Sequence, residues 1–310
     1  MKRPIVAASA LLLVAFTSCS PQRPERWRPS PVAGTAEPSA VIAATTAADW
    51  APIPDEDVLV MDLGDGGRVV IQLAPEWAPV HVANIRAFAR GGWWNDATVY
   101  RVQDNYVAQW GNGDAKVPLP AGVVRTPPAE YDRPLDSREM EATGSPDAYA
   151  PQVGYHAGWP LALDDVEKKM WLIHCYGTVG VGRDLAPDTG TGGELYAVIG
   201  HAPRHLDRNI ANVGRVIQGM ANLSARPRGT GDLGFYQVDK GEKPVPIARI
   251  RVASDMPAGE RPRFEYLRTG TPTFGKYVLG RANRGGTFFN RPAGGIDICN
   301  APVPVRPRAG

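Results

Sequence analysis

The sequence carries almost no net charge. Its 310 residues include 34 Lys and Arg against 32 Asp and Glu, a formal net charge of +2 at pH 7. A balanced chain has no electrostatic attraction for the phosphate backbone of DNA or RNA, so we expect no nucleic-acid partner. Low net charge together with 43% hydrophobic residues also argues against an intrinsically disordered chain.

Histidine and cysteine are scarce, with five and three residues. His201 and His205 lie four residues apart, but Pro203 between them breaks the helix that would place both on one face, and no third ligand is near. A calcium loop starting at Asp62 is disfavoured too, because its twelfth position needs Glu and holds Leu73. The sequence therefore predicts no metal site.

The first 19 residues have the layout of an export signal. Lys2 and Arg3 precede an apolar stretch, residues 5–16, which has secretory rather than membrane-spanning length. Small residues then lead to Cys19, a pattern that resembles a bacterial lipobox, in which the cysteine receives a lipid. Ser20 rather than Asp follows, which by the same resemblance favours the periplasmic face of the outer membrane. The alternative, an ordinary signal peptide with an incidental cysteine, remains open.

Residues 20–54 are rich in Pro and Ala and have no helical or strand periodicity. Such a composition is typical of an extended, solvated linker. We therefore expect a tether without chemistry between the signal and a folded part that begins at about residue 55.

The folded part shows mainly β-type patterns. Residues 58–63 and 68–73 are apolar, β-branched runs around a Gly-rich turn, which predicts a hairpin, and residues 98–102 and 106–110 predict a second strand pair. A helix is expected over 78–90, with Pro79 in its first turn. Further strand signals lie at 177–181, 195–199, 213–216 and 247–252. Short strands with few helices favour a barrel or a sandwich.

Two blocks carry a resemblance to a known family. Residues 99–112, V-Y-R-V-Q-D-N-Y-V-A-Q-W-G-N, resemble the cyclophilin segment F-H-R-V-x-x-x-F-x-x-Q-G-G-D. The second block lies within 177–220 and is similar to the family's G-x-x-x-M-A, G-S-Q-F-F-I, L-D and F-G-x-V-x-x-G-M segments in the same order. The hairpin and the helix upstream match the family's opening in order and spacing.

The resemblance implies a mainly β fold: an eight-stranded antiparallel closed barrel with capping helices over residues 55–254. A long insertion at about 115–172 interrupts it, and a C-terminal extension, 255–310, is expected to pack on the barrel. The implied activity is peptidyl-prolyl cis–trans isomerisation of proline-containing polypeptides, which needs no cofactor. We expect a monomer held on the membrane by its lipid anchor.

The resemblance also implies the residues of the site. Arg101 matches the family's catalytic arginine, and the positions that match its substrate-binding groove are Tyr106, Val107, Gln109, Glu194, Tyr196, Leu206 and Ile210. Both tyrosines replace phenylalanines, which should place a hydroxyl near the proline pocket. Glu194 replaces a glutamine and could pair with Arg101 or favour cationic peptides. From the residues alone, Arg101 could also be a solvated strand arginine, and the tyrosines could be core residues.

Two cysteines remain once Cys19 is set aside. In an oxidising compartment, Cys175 and Cys299 could form a disulfide that ties the C-terminal extension to the barrel, or they could be two buried thiols. Two other functions also stay open at this point: a peptide-binding barrel with little turnover, and a structural lipoprotein whose insertion and tail bind an envelope partner.

Overall fold

The computed structural model describes residues 29–112, 118–136, 140–285 and 288–308. The predicted signal peptide, 1–19, and the predicted lipidation site Cys19 lie outside these residues. None of the helices in the described ranges is long and apolar enough to cross a membrane.

The described residues form four α-helices and sixteen β-strands, beside several short 3₁₀ turns. The helices are α1 (Pro38–Ala43), α2 (Pro79–Arg90), α3 (Ala221–Ser224) and α4 (Pro272–Ala282). The strands are β1 (Trp50–Pro52), β2 (Val58–Leu63), β3 (Arg68–Leu73), β4 (Thr98–Val102), β5 (Val107–Gly111), β6 (Arg133–Pro134), β7 (Glu141–Ala142), β8 (Gln152–His156), β9 (Trp159–Asp164), β10 (Lys169–Leu172), β11 (Thr178–Val181), β12 (Leu195–Val198), β13 (Asn212–Gln218), β14 (Val245–Val252), β15 (Phe264–Leu267) and β16 (Val305–Pro307).

Eight of these strands close into an antiparallel barrel in the order β11-β12-β5-β4-β14-β2-β3-β13. Alternate side chains of the strands point inward, so that Leu59, Met61, Ile71 and Trp110 are fully buried in one core. An eight-stranded barrel is just wide enough to be filled by its own side chains, so a binding site must lie outside it. The predicted mainly β barrel is confirmed.

Helices close the barrel ends. Helix α2 starts at Pro79, whose fixed φ suits a first turn, and buries Val82, Ile85 and Phe88 in the barrel core; it ends at Arg90, with Gly91 as its C-cap. The short helix α3 buries Leu223 in the same core.

The remaining elements form what we call the accessory unit: α1, β1, β6–β10, β15, α4 and β16. The insertion folds into a five-stranded sheet, β6-β10-β9-β8-β7, and β15 lies between β1 and β16 in a second sheet. One hydrophobic cluster joins the three parts of the chain, with Trp50 from the N-terminal segment, Tyr155 and Trp171 from the insertion, and Phe274 and Tyr277 from the C-terminal extension.

The prediction of a solvated tether over 20–54 is wrong for its C-terminal part. Residues 38–43 are helical, and β1 pairs with β15 while Trp50 and Ile53 are buried. The prolines that suggested a tether occupy positions compatible with structure: Pro38 opens α1 and Pro52 ends an edge strand. Residues 50–52 pair with a segment more than 200 residues away in the chain, so their own sequence shows no periodicity that would predict a strand.

The C-terminal extension contacts both the barrel and the rest of the accessory unit. Phe264 packs against Val58, Val60 and Val70 on the outer wall of the barrel, while α4 packs within the accessory unit. Cys175, just before β11, is joined by a disulfide to Cys299. The link therefore ties the extension covalently to the barrel.

Candidate functional site

A row of side chains crosses three neighbouring strands on the outside of the barrel. Arg101 of β4 pairs in register with Gln109 of β5, and Gln109 pairs with Tyr196 of β12. Since side chains at paired positions lie on the same face of a sheet, the barrel itself brings these three residues together.

All eight residues that the sequence assigns to catalysis and peptide binding line one open groove of about 850 Å³. They are Arg101, Tyr106, Val107, Gln109, Glu194, Tyr196, Leu206 and Ile210. The connection between β12 and β13 supplies the last two. None of the groove residues comes from the described part of the insertion, residues 118–136 and 140–172, which therefore does not cover the groove.

An apolar notch lies beside Arg101 in this groove. Val107 and Tyr196 are buried there with Val198, and Tyr106 and Leu206 pack on them half-buried. His205 stacks on Tyr106, with 6.1 Å between ring centroids. This cluster is separate from the barrel core and opens outward.

Three acceptors hold the Arg101 guanidinium. Its Nη1 donates to Gln109 Oε1 at 2.9 Å, its Nη2 to Gln103 Oε1 at 2.5 Å, and its Nε to the Leu233 carbonyl at 2.8 Å. An arginine has five N–H donors, so two of them have no partner among the described residues. Burial lowers the pKa of Arg101 below its usual range, but an arginine still stays charged at neutral pH.

The polar contacts continue from Arg101 through residues that we call the groove chain: Arg101, Gln109, Tyr100 and Glu194. Gln109 Nε2 donates to the Tyr100 hydroxyl, and that hydroxyl donates to Glu194 Oε2, both at 2.6 Å. Burial, followed by the charge of Glu194, raises the pKa of the Tyr100 hydroxyl well above 10, so it stays protonated and donates. The described link from Glu194 to Arg101 thus runs through two neutral side chains.

Sequence reasoning missed Tyr100 and Phe235. Tyr100 lies next to Arg101 in the matched block, at a position where the family segment has His, and this departure was the available signal. Phe235 stacks on Tyr100 with 5.8 Å between centroids, and its ring lies 5.3 Å from the Arg101 guanidinium carbon. It belongs to the connection between α3 and β14, where no motif pointed to it.

The Tyr196 hydroxyl points away from the apolar notch, which corrects the prediction that it would lie near a pocket for proline. The hydroxyl lies 3.0 Å from Nε2 of the fully buried His174. A side chain at Gly180 would overlap this hydroxyl, so the glycine makes room for it. Only the ring of Tyr196 is therefore available to the notch.

Behind Tyr196 runs a second set of contacts, which we call the buried chain: Tyr196, His174, Asp207, Arg204 and Asp147. His174 Nδ1 lies 2.9 Å from Asp207 Oδ1, Asp207 Oδ2 accepts from Arg204 Nε at 2.5 Å, and both Arg204 Nη atoms donate to Asp147. With Nδ1–H donating to a carboxylate, Nε2 is the acceptor of the tyrosine hydroxyl. The buried chain thus runs from the groove wall to the insertion.

The groove suits recognition of an apolar group next to a hydrogen-bond acceptor. It holds a fixed cation with unused donors beside an apolar notch. The described residues contain no group of three or more His, Cys, Asp or Glu that could hold a metal ion.

Comparisons with known proteins agree with this geometry. A family model described as cyclophilin type peptidyl-prolyl cis-trans isomerase/CLD matches residues 58–252. A probable peptidyl-prolyl cis-trans isomerase of Brucella suis biovar 1 is 25% identical over 175 residues, 56% of this chain and 74% of the relative. Its Brucella abortus (strain 2308) counterpart is 24% identical over the same shares.

A solved structure shares the fold. The crystal structure of cyclophilin AquaCyp293 from Hirschia baltica superposes with a TM-score of 0.64 at 22% identity, covering 83% of this chain and 93% of that chain. This coverage exceeds the 58–252 stretch, so the likeness extends into the accessory unit.

Proposed function

The chain belongs to the cyclophilin family of peptidyl-prolyl cis–trans isomerases, and we propose that Arg101 is the residue through which it speeds rotation about X-Pro bonds. Membership of this family shows that the chain is a peptidyl-prolyl isomerase. What we propose is which residues carry out the reaction. The observation that carries it is the Arg101 guanidinium, with two unused N–H donors, beside the notch of Tyr106, Val107, Tyr196 and Leu206.

The reaction requires stabilisation of a twisted amide. Conjugation sets a rotation barrier of about 18–20 kcal/mol, so an uncatalysed X-Pro bond takes tens of seconds or longer to isomerise. In the twisted state the prolyl nitrogen regains a lone pair. A donor aimed at this nitrogen stabilises the twisted state more than either planar state, which lowers the barrier.

Arg101 fits this task because three of its hydrogen bonds orient it before substrate arrives. The notch would receive the proline ring, and Gln109 would bind a flanking carbonyl. One charge-assisted hydrogen bond contributes about 1.5–3 kcal/mol. The remaining acceleration then comes from the notch and from anchoring of the peptide.

A protease-coupled assay with a proline peptide tests the role of Arg101. Loss of about 1.5–3 kcal/mol in Arg101→Ala corresponds to a decrease in kcat/KM of roughly 10- to 150-fold. Arg183→Ala is the matched control, because Arg183 lines the same groove but bonds the Asn209 and Asp184 carbonyls. Equal losses in both variants, or none in Arg101→Ala, would contradict the proposal.

We further propose that the protein is a monomer, anchored by a lipid to the periplasmic face of the outer membrane. There it would assist the folding of exported proteins. The export-type N-terminus with Cys19 supports this, as does the Cys175–Cys299 disulfide, since disulfides persist in oxidising compartments. Labelled palmitate should enter the wild-type chain and not Cys19→Ala. Label that survives this substitution would refute the anchor, and a dimer in sedimentation would refute the monomer.

A further inference from the structure

A second cavity lies between the barrel and the accessory unit, away from the groove. Its volume is about 200 Å³. The walls include Ile217 of the barrel strand β13, Trp159 of the insertion, Val303 of the extension and the disulfide cysteines. Three separate parts of the chain thus enclose one largely apolar space.

Of the described residues that line this cavity, Arg215 is the one with a cationic side chain. Arg215 of β13 pairs in register with Gln72 of β3. The neighbours of Gln72, Ile71 and Leu73, are in the barrel core, so Gln72 and Arg215 lie on the outer wall. On the opposite side, the Trp159 ring centroid lies 4.6 Å from the guanidinium carbon.

Arg215 has unused hydrogen-bonding capacity. Its Nε and Nη2 both donate to Gln72 Oε1, at 3.0 and 2.8 Å. These contacts use two of the five N–H donors of an arginine and leave three without a partner among the described residues. No carboxylate in the described ranges pairs with it. Burial without a compensating anion lowers the pKa of Arg215 to about 10.

Arg215 is half-buried. A cation partly removed from water normally has a carboxylate or similar acceptor, because its desolvation is costly. Among the described residues, Arg215 meets the neutral amide of Gln72 and the Trp159 ring, with the Tyr266 phenol also close and no carboxylate, and its free donors border an apolar space. The forked donors of a guanidinium match a carboxylate bidentately. An apolar cavity of about 150 Å³ is known to accept benzene, so one of this size accepts a small ring or a short chain.

We propose that this cavity binds a small monocarboxylate, with the carboxylate on Arg215 and the apolar body between Trp159 and the walls formed by Ile217 and Val303. Such a ligand would contact the barrel and the accessory unit together. It would therefore stabilise their association without touching the isomerase groove.

Calorimetric titration of the full-length chain with benzoate tests the proposal, with benzamide as the uncharged isostere. We expect saturable binding of benzoate to one site and at least tenfold weaker binding of benzamide. Arg215→Gln should weaken benzoate at least tenfold. Gln72→Glu should do the same, because it supplies an internal carboxylate to Arg215 at nearly unchanged shape.

Arg249→Gln is the control: this arginine is on the barrel surface, and its partner Asp62 keeps Arg68 and Arg251. It should bind benzoate as the wild type does. Isomerase activity should be retained in all three variants and reports that they are folded. Equal affinity for benzamide and benzoate, unchanged binding in Arg215→Gln and Gln72→Glu, or no saturable benzoate binding in the wild type would overturn the proposal.

Discussion

The groove chain starts at Arg101 beside the notch and the buried chain starts at Tyr196 within it, yet their surroundings differ. The groove chain leads from Arg101 along the half-buried floor of an open cleft. The buried chain leads from Tyr196 into the protein, where the His174, Asp207, Arg204 and Asp147 side chains are at most 6% exposed. Water can replace a lost partner in the first and not in the second. We therefore expect the groove chain to govern activity and the buried chain to govern stability.

Asp207→Ala should show the largest effect. Asp207 accepts from the His174 ring, from the His174 backbone N–H and from Arg204, so its loss leaves buried donors without a partner. Breaking a buried ion pair costs about 3–5 kcal/mol. Urea unfolding should show this decrease in the free energy of unfolding.

The matched surface variant is Asp104→Ala, which removes an 80% exposed partner of Arg228. Exposed pairs contribute little, so the urea midpoint should stay unchanged. If Asp207→Ala unfolded at the wild-type midpoint as well, the assignment of stability to the buried chain would be wrong.

Tyr196→Phe should separate stability from activity. The substitution removes the hydroxyl that meets His174 Nε2 and leaves the ring in the notch, so unfolding should become easier by about 1–3 kcal/mol while kcat/KM changes little. Tyr106→Phe is the control, because the half-buried Tyr106 lines the same notch and its hydroxyl has no hydrogen-bond partner in the part of the chain that the structure describes; this variant should change neither stability nor kcat/KM. A large loss of kcat/KM in Tyr196→Phe at normal stability would show that the hydroxyl acts in the groove.

Stability should fall at mildly acidic pH because of His174. Burial lowers the pKa of this imidazole below 6.5 in the folded chain. At pH values below about 6.5 the unfolded chain therefore binds more protons than the folded chain, so the free energy of unfolding falls as the pH drops. The decrease is at most about 1.4 kcal/mol per pH unit and stops once the pH reaches the pKa of His174 in the folded chain.

His174→Gln should flatten this pH dependence, measured by urea unfolding between neutral and mildly acidic pH. The exposed His205 serves as a control, and His205→Gln should keep the wild-type slope. An identical slope in His174→Gln would place the proton uptake elsewhere.

Glu194→Gln should give the smallest effect and act on substrate choice. Its charge faces the open groove, so peptides with a lysine beside the X-Pro bond should lose affinity by about fivefold at most, the size of one solvent-screened pair. Uncharged peptides should be unaffected, as should urea unfolding. Comparison of kcat/KM for the two peptides measures this, and an equal change for both would argue against a charge effect.

The hairpins and the first helix of the barrel could be predicted from the sequence because their signals are local, and the family resemblance supplied the closed barrel itself. The hairpin at 58–73 and the helix beginning at Pro79 each show their own periodicity and turn residues. The accessory unit as a whole could not be predicted, because α1 and β1 bury their apolar residues against segments far away in the chain, whereas the sequence indicates a helix around 272–284 and α4 is found there. Such residues look unpatterned until their partners are known.

The candidate site also combines features that the sequence predicts with features that it does not. Arg101 and Gln109 could be placed together because strands β4 and β5 are joined by a short turn. The direction of the Tyr196 hydroxyl could not be predicted, since it depends on the space at Gly180 and on His174, which lies 22 residues away in the chain.

By itself the sequence determined the hairpins and the helix that begins at Pro79, because alternation of side chains and turn residues are encoded locally, and its resemblance to the cyclophilin family supplied the closed barrel, the groove and Arg101. Only the tertiary structure decided which groups are removed from water. The tertiary structure turned the Tyr196 hydroxyl inward toward His174 and left Arg215 without a carboxylate among the described residues. It also folded three separate segments into one accessory unit. The physical reason is that desolvation depends on what packs around a residue, and that cannot be read from the residue's own neighbours in the chain.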